Sequence, residues 1–211
     1  MATTFARSLL LIALLITCLG IRAEEAVSQH ALFINLFIHD DIPQSRINKL
    51  RQDYFIWMIK DLESITGRRV QLKFIRDVPT LTNFPYKAQD MEQGLLLWVN
   101  RLRSYLEVHN LPLNRTSKYL LLTRDKLGDS VLGVALEQGH TGIASLEAYT
   151  APAHELGHMF GATHQASQVL YRKGWWCETN LAPRRNRTLA NCYIYSDANR
   201  QLISDYLRRY P

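Results

Sequence analysis

Residues 154–164 read HELGHMFGATH, and no other stretch restricts the fold of this chain so tightly. His154 and His158 are four apart, which on a helix stacks them on one face. Gly161, three residues further on, permits the left-handed backbone on which helices commonly end. The chain can then turn and bring His164 back toward the other two. Three imidazoles converging in this way match the donor set of zinc with one position left for water, the pattern of a catalytic rather than a structural site. Glu155 stands beside the first histidine, where a carboxylate can hold that water and take its proton. A solvated helix with scattered histidines would carry charged flanks, yet Ala151, Pro152, Ala153, Leu156, Met159 and Phe160 are all apolar or small. The remaining histidines, His30, His39, His109 and His140, read as surface or packing residues.

The first 23 residues have the pattern of a secretory signal peptide. Arg7 supplies the positive start, residues 9–19 are almost wholly apolar, and Ala23 is a small residue at the expected cut. The apolar stretch is shorter than the roughly 20 residues of a membrane helix, so no stable membrane span is expected after cleavage. Lipoprotein processing at Cys18 is the alternative, with Thr17 a poor match to the small residue it prefers. The expected location is secreted or periplasmic, and residues 24–211 are expected to form one monomeric domain. Losing Arg7 and Arg22 lowers the formal net charge of +6 by two. No dense basic stripe remains, so nucleic-acid binding is not expected, and Arg184, Arg185, Arg187, Arg208 and Arg209 read as solvated surface.

Cys177 and Cys192 are an even pair in an exported chain and are expected to form a disulfide rather than two buried thiols. Trp175 and Trp176 are expected to cover that disulfide or the core beside it. Asn114-Arg115-Thr116 and Asn186-Arg187-Thr188 fit the N-glycosylation acceptor pattern, which has meaning only in a eukaryotic secretory pathway.

Hydrophobic periodicity orders the rest. A buried strand is predicted at 31–38, a helix at 44–66 ended by Gly67, and an alternating strand at 70–75. A second helix follows at 88–108, then strands at 119–123, 131–136 and 142–146. Gly133, inside the second of these three, suggests an edge or a close backbone approach. The histidine helix is predicted over 147–161, with Pro152 undistorted only if that helix starts late. A closing helix over 197–210 has Asp197 as its cap. Alternating strands and helices imply right-handed crossovers and a mainly parallel sheet.

These residues resemble the metzincin clan of zinc metalloendopeptidases, and within it most closely the adamalysin (reprolysin) family. The likeness is carried by residues 120–164: the strand LLLT, the edge strand around 131–135, and AHELGHMFGATH. It implies an α/β (α+β), zincin/metzincin-like fold, with a twisted, mainly parallel five-stranded sheet, an antiparallel edge strand and long helices. It also implies an upper subdomain (24–161) and a small lower one (162–211), with the active-site cleft between them. The edge strand (Val131, Leu132, Gly133, Val134, Ala135 and Leu136) would then pair with an extended peptide or protein substrate, the alternative being a plain sheet edge.

The chain departs from that pattern in three places. Gln165 follows the third histidine, where adamalysins have aspartate. No methionine follows Met159, so the methionine turn beneath the metal is replaced, with Ile194 the first candidate. Only about seven residues separate the expected cut from the first strand, which leaves no room for a prodomain and implies a protein exported competent or controlled by a partner. Tyr193 and Tyr195 are candidates for a tyrosine that stabilises an oxyanion, the alternative being packing. The function implied is an exported Zn2+-dependent endopeptidase with Glu155 as general base. The alternative is a zinc-containing binding protein, a toxin or effector with little general proteolytic activity.

Overall fold

The computed structural model describes residues 30–87 and 90–209. The signal-peptide segment with Cys18, the first two residues of the helix expected at 88, and Tyr210 lie outside the described residues.

β1 (Leu32–Ile38), β2 (Val70–Ile75), β3 (Ser117–Thr123), β4 (Gly133–Ala135) and β5 (Thr141–Ser145) form one sheet in the order β2-β1-β3-β5-β4. All neighbours are parallel except β4, which runs antiparallel to β5 at the edge. β1 and β3 occupy the middle and are buried on both faces, which explains their nearly continuous apolar runs. Alternation along them feeds two separate cores. Ile34, Leu36, Leu120 and Leu122 point to one face, against helices described below. Phe37, Tyr119 and Leu121 point to the other, against Trp98 and Leu102. Each fully buried large apolar side chain contributes roughly 2 kcal/mol relative to exposure.

The helix expected over 44–66 is broken. A short α1 (Gln44–Ile47) precedes a π turn (Arg51–Phe55), and α2 (Ile56–Thr66) follows. The extra residue in the π turn lets the consecutive Tyr54 and Phe55 both turn inward, and the Tyr54 hydroxyl donates to the Leu146 carbonyl at 2.7 Å. Gly67 ends α2 in the left-handed region, at φ 68°. α3 (Met91–Val108) is capped by Asp90, which accepts from the N–H groups of Glu92 and Gln93. It covers one face of the sheet together with Leu81, Phe84 and Tyr86 of the segment before it.

The other face is covered by α2, α4 (Ala151–Met159) and α5 (Asp197–Arg208). α4 starts four residues later than the sequence suggested, which places Pro152 in its first turn, where a missing N–H costs nothing. The cap of α5 is Ser196 rather than Asp197: the Ser196 hydroxyl accepts from the Asn199 N–H, while Asp197 falls in the first turn.

Residues 165–196 carry a small second sheet that periodicity did not predict: β6 (Val169–Arg172), β7 (Trp175–Glu178) and β8 (Ala190–Asn191). A disulfide joins Cys177 to Cys192 across it, as expected. Closing a loop of 15 residues contributes about 3 kcal/mol on the chain-entropy account.

Candidate metal centre

α4 presents His154 and His158 on one face, as their spacing requires. The helix ends in a Schellman closure. The Ala162 N–H donates to the Gly157 carbonyl and the Gly161 N–H to the His158 carbonyl, both at 2.9 Å. That closure needs a left-handed residue, and Gly161 supplies it at φ 87°. The reversed chain then enters a single 3-10 turn beginning at His164.

The three Nε2 atoms converge. His154 lies 2.9 Å from His164 and 3.2 Å from His158, and His158 lies 3.1 Å from His164. The opposite ring nitrogens decide what these contacts are. His154 Nδ1 is 2.8 Å from the Asn180 carbonyl oxygen, and His158 Nδ1 is 3.1 Å from that of Ala162. A carbonyl oxygen only accepts, so both Nδ1 atoms carry the proton and both Nε2 atoms present lone pairs. Two lone pairs facing each other at 3.2 Å repel unless a cation lies between them. Tetrahedral zinc with bonds of about 2.0–2.1 Å spaces its ligand atoms about 3.3 Å apart, close to this triangle. Among the described residues, His154, His158 and His164 form the group that could hold a metal ion. Burial, and then the charge of His158, pulls the pKa of His154 down to about 3. Burial, and then His164, lowers that of His158. Neutral imidazoles are what a metal requires.

Glu155, the next residue on α4, is buried beneath the edge strand. Burial raises its carboxyl to about 8. Gly133 of β4 lies directly against it: a Cβ at that position would fall 2.5 Å from Glu155 Oε1 and 2.6 Å from its Cγ. The glycine in the edge strand therefore marks a close approach, and what approaches is the glutamate. Only Gly133, Val134 and Ala135 of the expected strand form the β4 ladder; Val131, Leu132 and Leu136 flank it.

Several groups that position the site gave no signal in the sequence. Asn199, in the first turn of α5, clamps the residue before the third histidine. Its Oδ1 accepts from the Thr163 N–H at 2.8 Å and its Nδ2 donates to the Thr163 carbonyl at 3.1 Å. The Ser196 hydroxyl donates to the Ala166 carbonyl at the end of the same turn. Lys118, fully buried on β3, donates to the Met159 carbonyl at the end of α4, to the Gly139 carbonyl and to the Tyr206 hydroxyl. Burial lowers its pKa to about 7.

Three expectations about the segment after the histidines are corrected. The side chains beneath α4 are Tyr195 and Leu181, not Ile194. Tyr195 is fully buried, its hydroxyl donates to the Ala153 carbonyl at 2.6 Å, and its ring passes 2.8 Å from where a Cβ on Gly157 would lie. Ile194 is half-buried and lines a cleft between α2 and the small sheet. Neither tyrosine is placed to stabilise an oxyanion. The hydroxyl of Tyr195 is buried and spent on the helix, and the ring of Tyr193 packs on Trp57 at 4.9 Å, facing that same cleft. Trp175 and Trp176 are not core residues: they are 73% and 58% exposed, and Trp175 lines the same cleft as Cys177 and Cys192. His39 meets the Phe84 carbonyl, 45 residues on, and His109 that of Tyr105 one turn back, as packing histidines do.

No protein-family model matches the chain, and no curated protein matches it in sequence. Solved structures do match in fold. Metalloproteinase-II from Bacteroides fragilis superposes with a TM-score of 0.54 at 16% identity, covering 86% of this chain and 54% of that one. This chain thus spans about half the length of that protein. A zinc-dependent peptidase from Methanocorpusculum labreanum gives 0.47 at 16% identity, covering 81% of this chain and 99% of its own. Archaemetzincin from Methanopyrus kandleri gives 0.49 at 17% identity, covering 85% and 97%. The Bacteroides likeness is one of fold, and it agrees with a zincin-like arrangement of mainly parallel sheet and helices.

Proposed function

We propose that the protein is a zinc-dependent endopeptidase of metzincin type, exported from the cell. One observation carries this reading: three Nε2 atoms within 3.2 Å of one another, two of them fixed as lone-pair donors by carbonyls behind, with a buried carboxylate one residue from the first. Histidines 154, 158 and 164 would hold the zinc. When bound, zinc polarises a scissile carbonyl and acidifies water. The chain's own residues do the rest. Glu155 takes a proton at its carboxylate and returns it to the departing amine. Asn180 and Ala162 fix the tautomers of His154 and His158 through their carbonyls. Gly133 leaves the room in which the Glu155 side chain lies.

β4 is the edge of the sheet and runs antiparallel to its neighbour. An extended peptide laid along it would add a strand, with its scissile bond carried past Glu155. The adamalysin-like part of the reading rests on the sequence of segment 120–164 alone, and Gln165 and the tyrosine floor depart from it.

The test is cleavage of a diverse peptide library by the unaltered protein and by Glu155→Ala. Cuts by the unaltered protein alone, with zinc content and folding equal in both, are the expected result. Undiminished cleavage by the variant would remove Glu155 from the mechanism. Silence from both with zinc bound would favour a zinc-containing binding protein.

A further inference from the structure

The small sheet carries a surface that the metal centre does not use. β6 and β7 form a hairpin in which Tyr171 pairs with Trp176 and Arg172 with Trp175. Val169, Tyr171, Trp175 and Trp176 are 50%, 63%, 73% and 58% exposed. Tyr171 and Trp176 share one face, with ring centroids 5.3 Å apart. Trp175 faces the opposite way, over the cleft of about 530 Å³ that Lys60, Asp61, Arg172 and Lys173 also line. A hairpin that exposes two adjacent tryptophans, one on each side, has no packing reason to do so.

Charge accompanies the aromatics. From residue 165 to residue 196 the cations are Arg172, Lys173, Arg184, Arg185 and Arg187, and the one acid is Glu178. This short segment thus holds four of the chain's six net positive charges. Glu178 is itself buried and accepts from the Asn186 N–H at 2.9 Å, which fixes the exposed arginine loop at the base of the hairpin. Tryptophan and tyrosine rings with arginine and lysine around them are the combination that seats a protein at a bilayer interface: the rings lie at headgroup level and the cations meet anionic lipid. No helix among the described residues is long and apolar enough to cross a membrane.

We propose that the β6–β7 hairpin and the arginine loop dock the protein on an anionic lipid bilayer, with Trp175, Trp176 and Tyr171 entering the interface. The contact is peripheral and reversible.

The experiment is co-sedimentation of the purified protein with phosphatidylcholine vesicles, with and without phosphatidylglycerol, alongside tryptophan fluorescence. Binding to the phosphatidylglycerol vesicles, a blue shift, and weakening by salt are expected. Trp175→Ser with Trp176→Ser should reduce binding at least about tenfold. Replacing Arg184, Arg185 and Arg187 by Gln should reduce it by about 100-fold. Both variants are at exposed positions and should melt with the parent; were the tryptophan variant unfolded, the arginine variant carries the test. No binding, equal binding to neutral vesicles, or undiminished binding by the variants would overturn the proposal. So would a concentration-dependent dimer abolished by the tryptophan variant, since the occupant would then be a second copy.

Discussion

The two histidines on α4 and the third after it are held by opposite strategies. His154 and His158 are placed by one regular helix, and their orienting carbonyls are those of Ala162, at the end of that helix, and Asn180. His164 sits in irregular backbone and is placed from a distance. Asn199 and Ser196 on α5, more than thirty residues on, fix the turn on either side of it. A motif contiguous in sequence is therefore not a unit in space: its first half depends on α4 and on the carbonyls of Ala162 and Asn180, its second on the C-terminal helix.

Substitutions should separate the halves. His158→Ala removes a ligand outright, and the protein should no longer retain stoichiometric zinc through dialysis, as read by metal analysis; full retention would remove His158 from the set. Gly133→Ala should act on Glu155 alone. The new methyl displaces the carboxylate, and a misplacement of this size is expected to lower kcat by about 100-fold with zinc affinity unchanged. An unchanged kcat would mean that the glutamate does not need the space. Asn199→Ala should act on the other half: its loss frees the turn before His164 and should weaken zinc binding by about tenfold, within the range seen when groups behind metal ligands are removed. If Asn199→Ala instead matched the parent in zinc affinity, the turn would be rigid without its clamp and the contrast between the halves would disappear.

The same contrast governs what could be read from the chain. β2 was legible to the residue, and the helix and strand order around it nearly so, because alternating and helical periods report burial directly. Gly67 and Gly161 announced their helix ends. The convergence of His154, His158 and His164 was legible because a local spacing encodes it. The small sheet was not: its strands are two to four residues long, and Val169, Tyr171, Trp175 and Trp176 expose apolar surface that periodicity treats as core. Ile194 was the wrong residue for the floor because the choice rested on similarity of side chain to methionine. What settles the matter is the hydroxyl of Tyr195, which reaches a helix carbonyl 42 residues away in sequence. Asn199 and Lys118 act across comparable separations, and nothing in their local sequence marks them.

The central claim is that three imidazoles hold one zinc ion. It is tested most directly by X-ray absorption at the zinc edge on protein stripped of metal and reloaded with one equivalent. The account predicts uptake of one ion per chain, with three imidazole nitrogens and one further light atom at about 2.0–2.1 Å. Failure to take up zinc, or a bound ion surrounded by carboxylate and water without imidazole scattering, would contradict it.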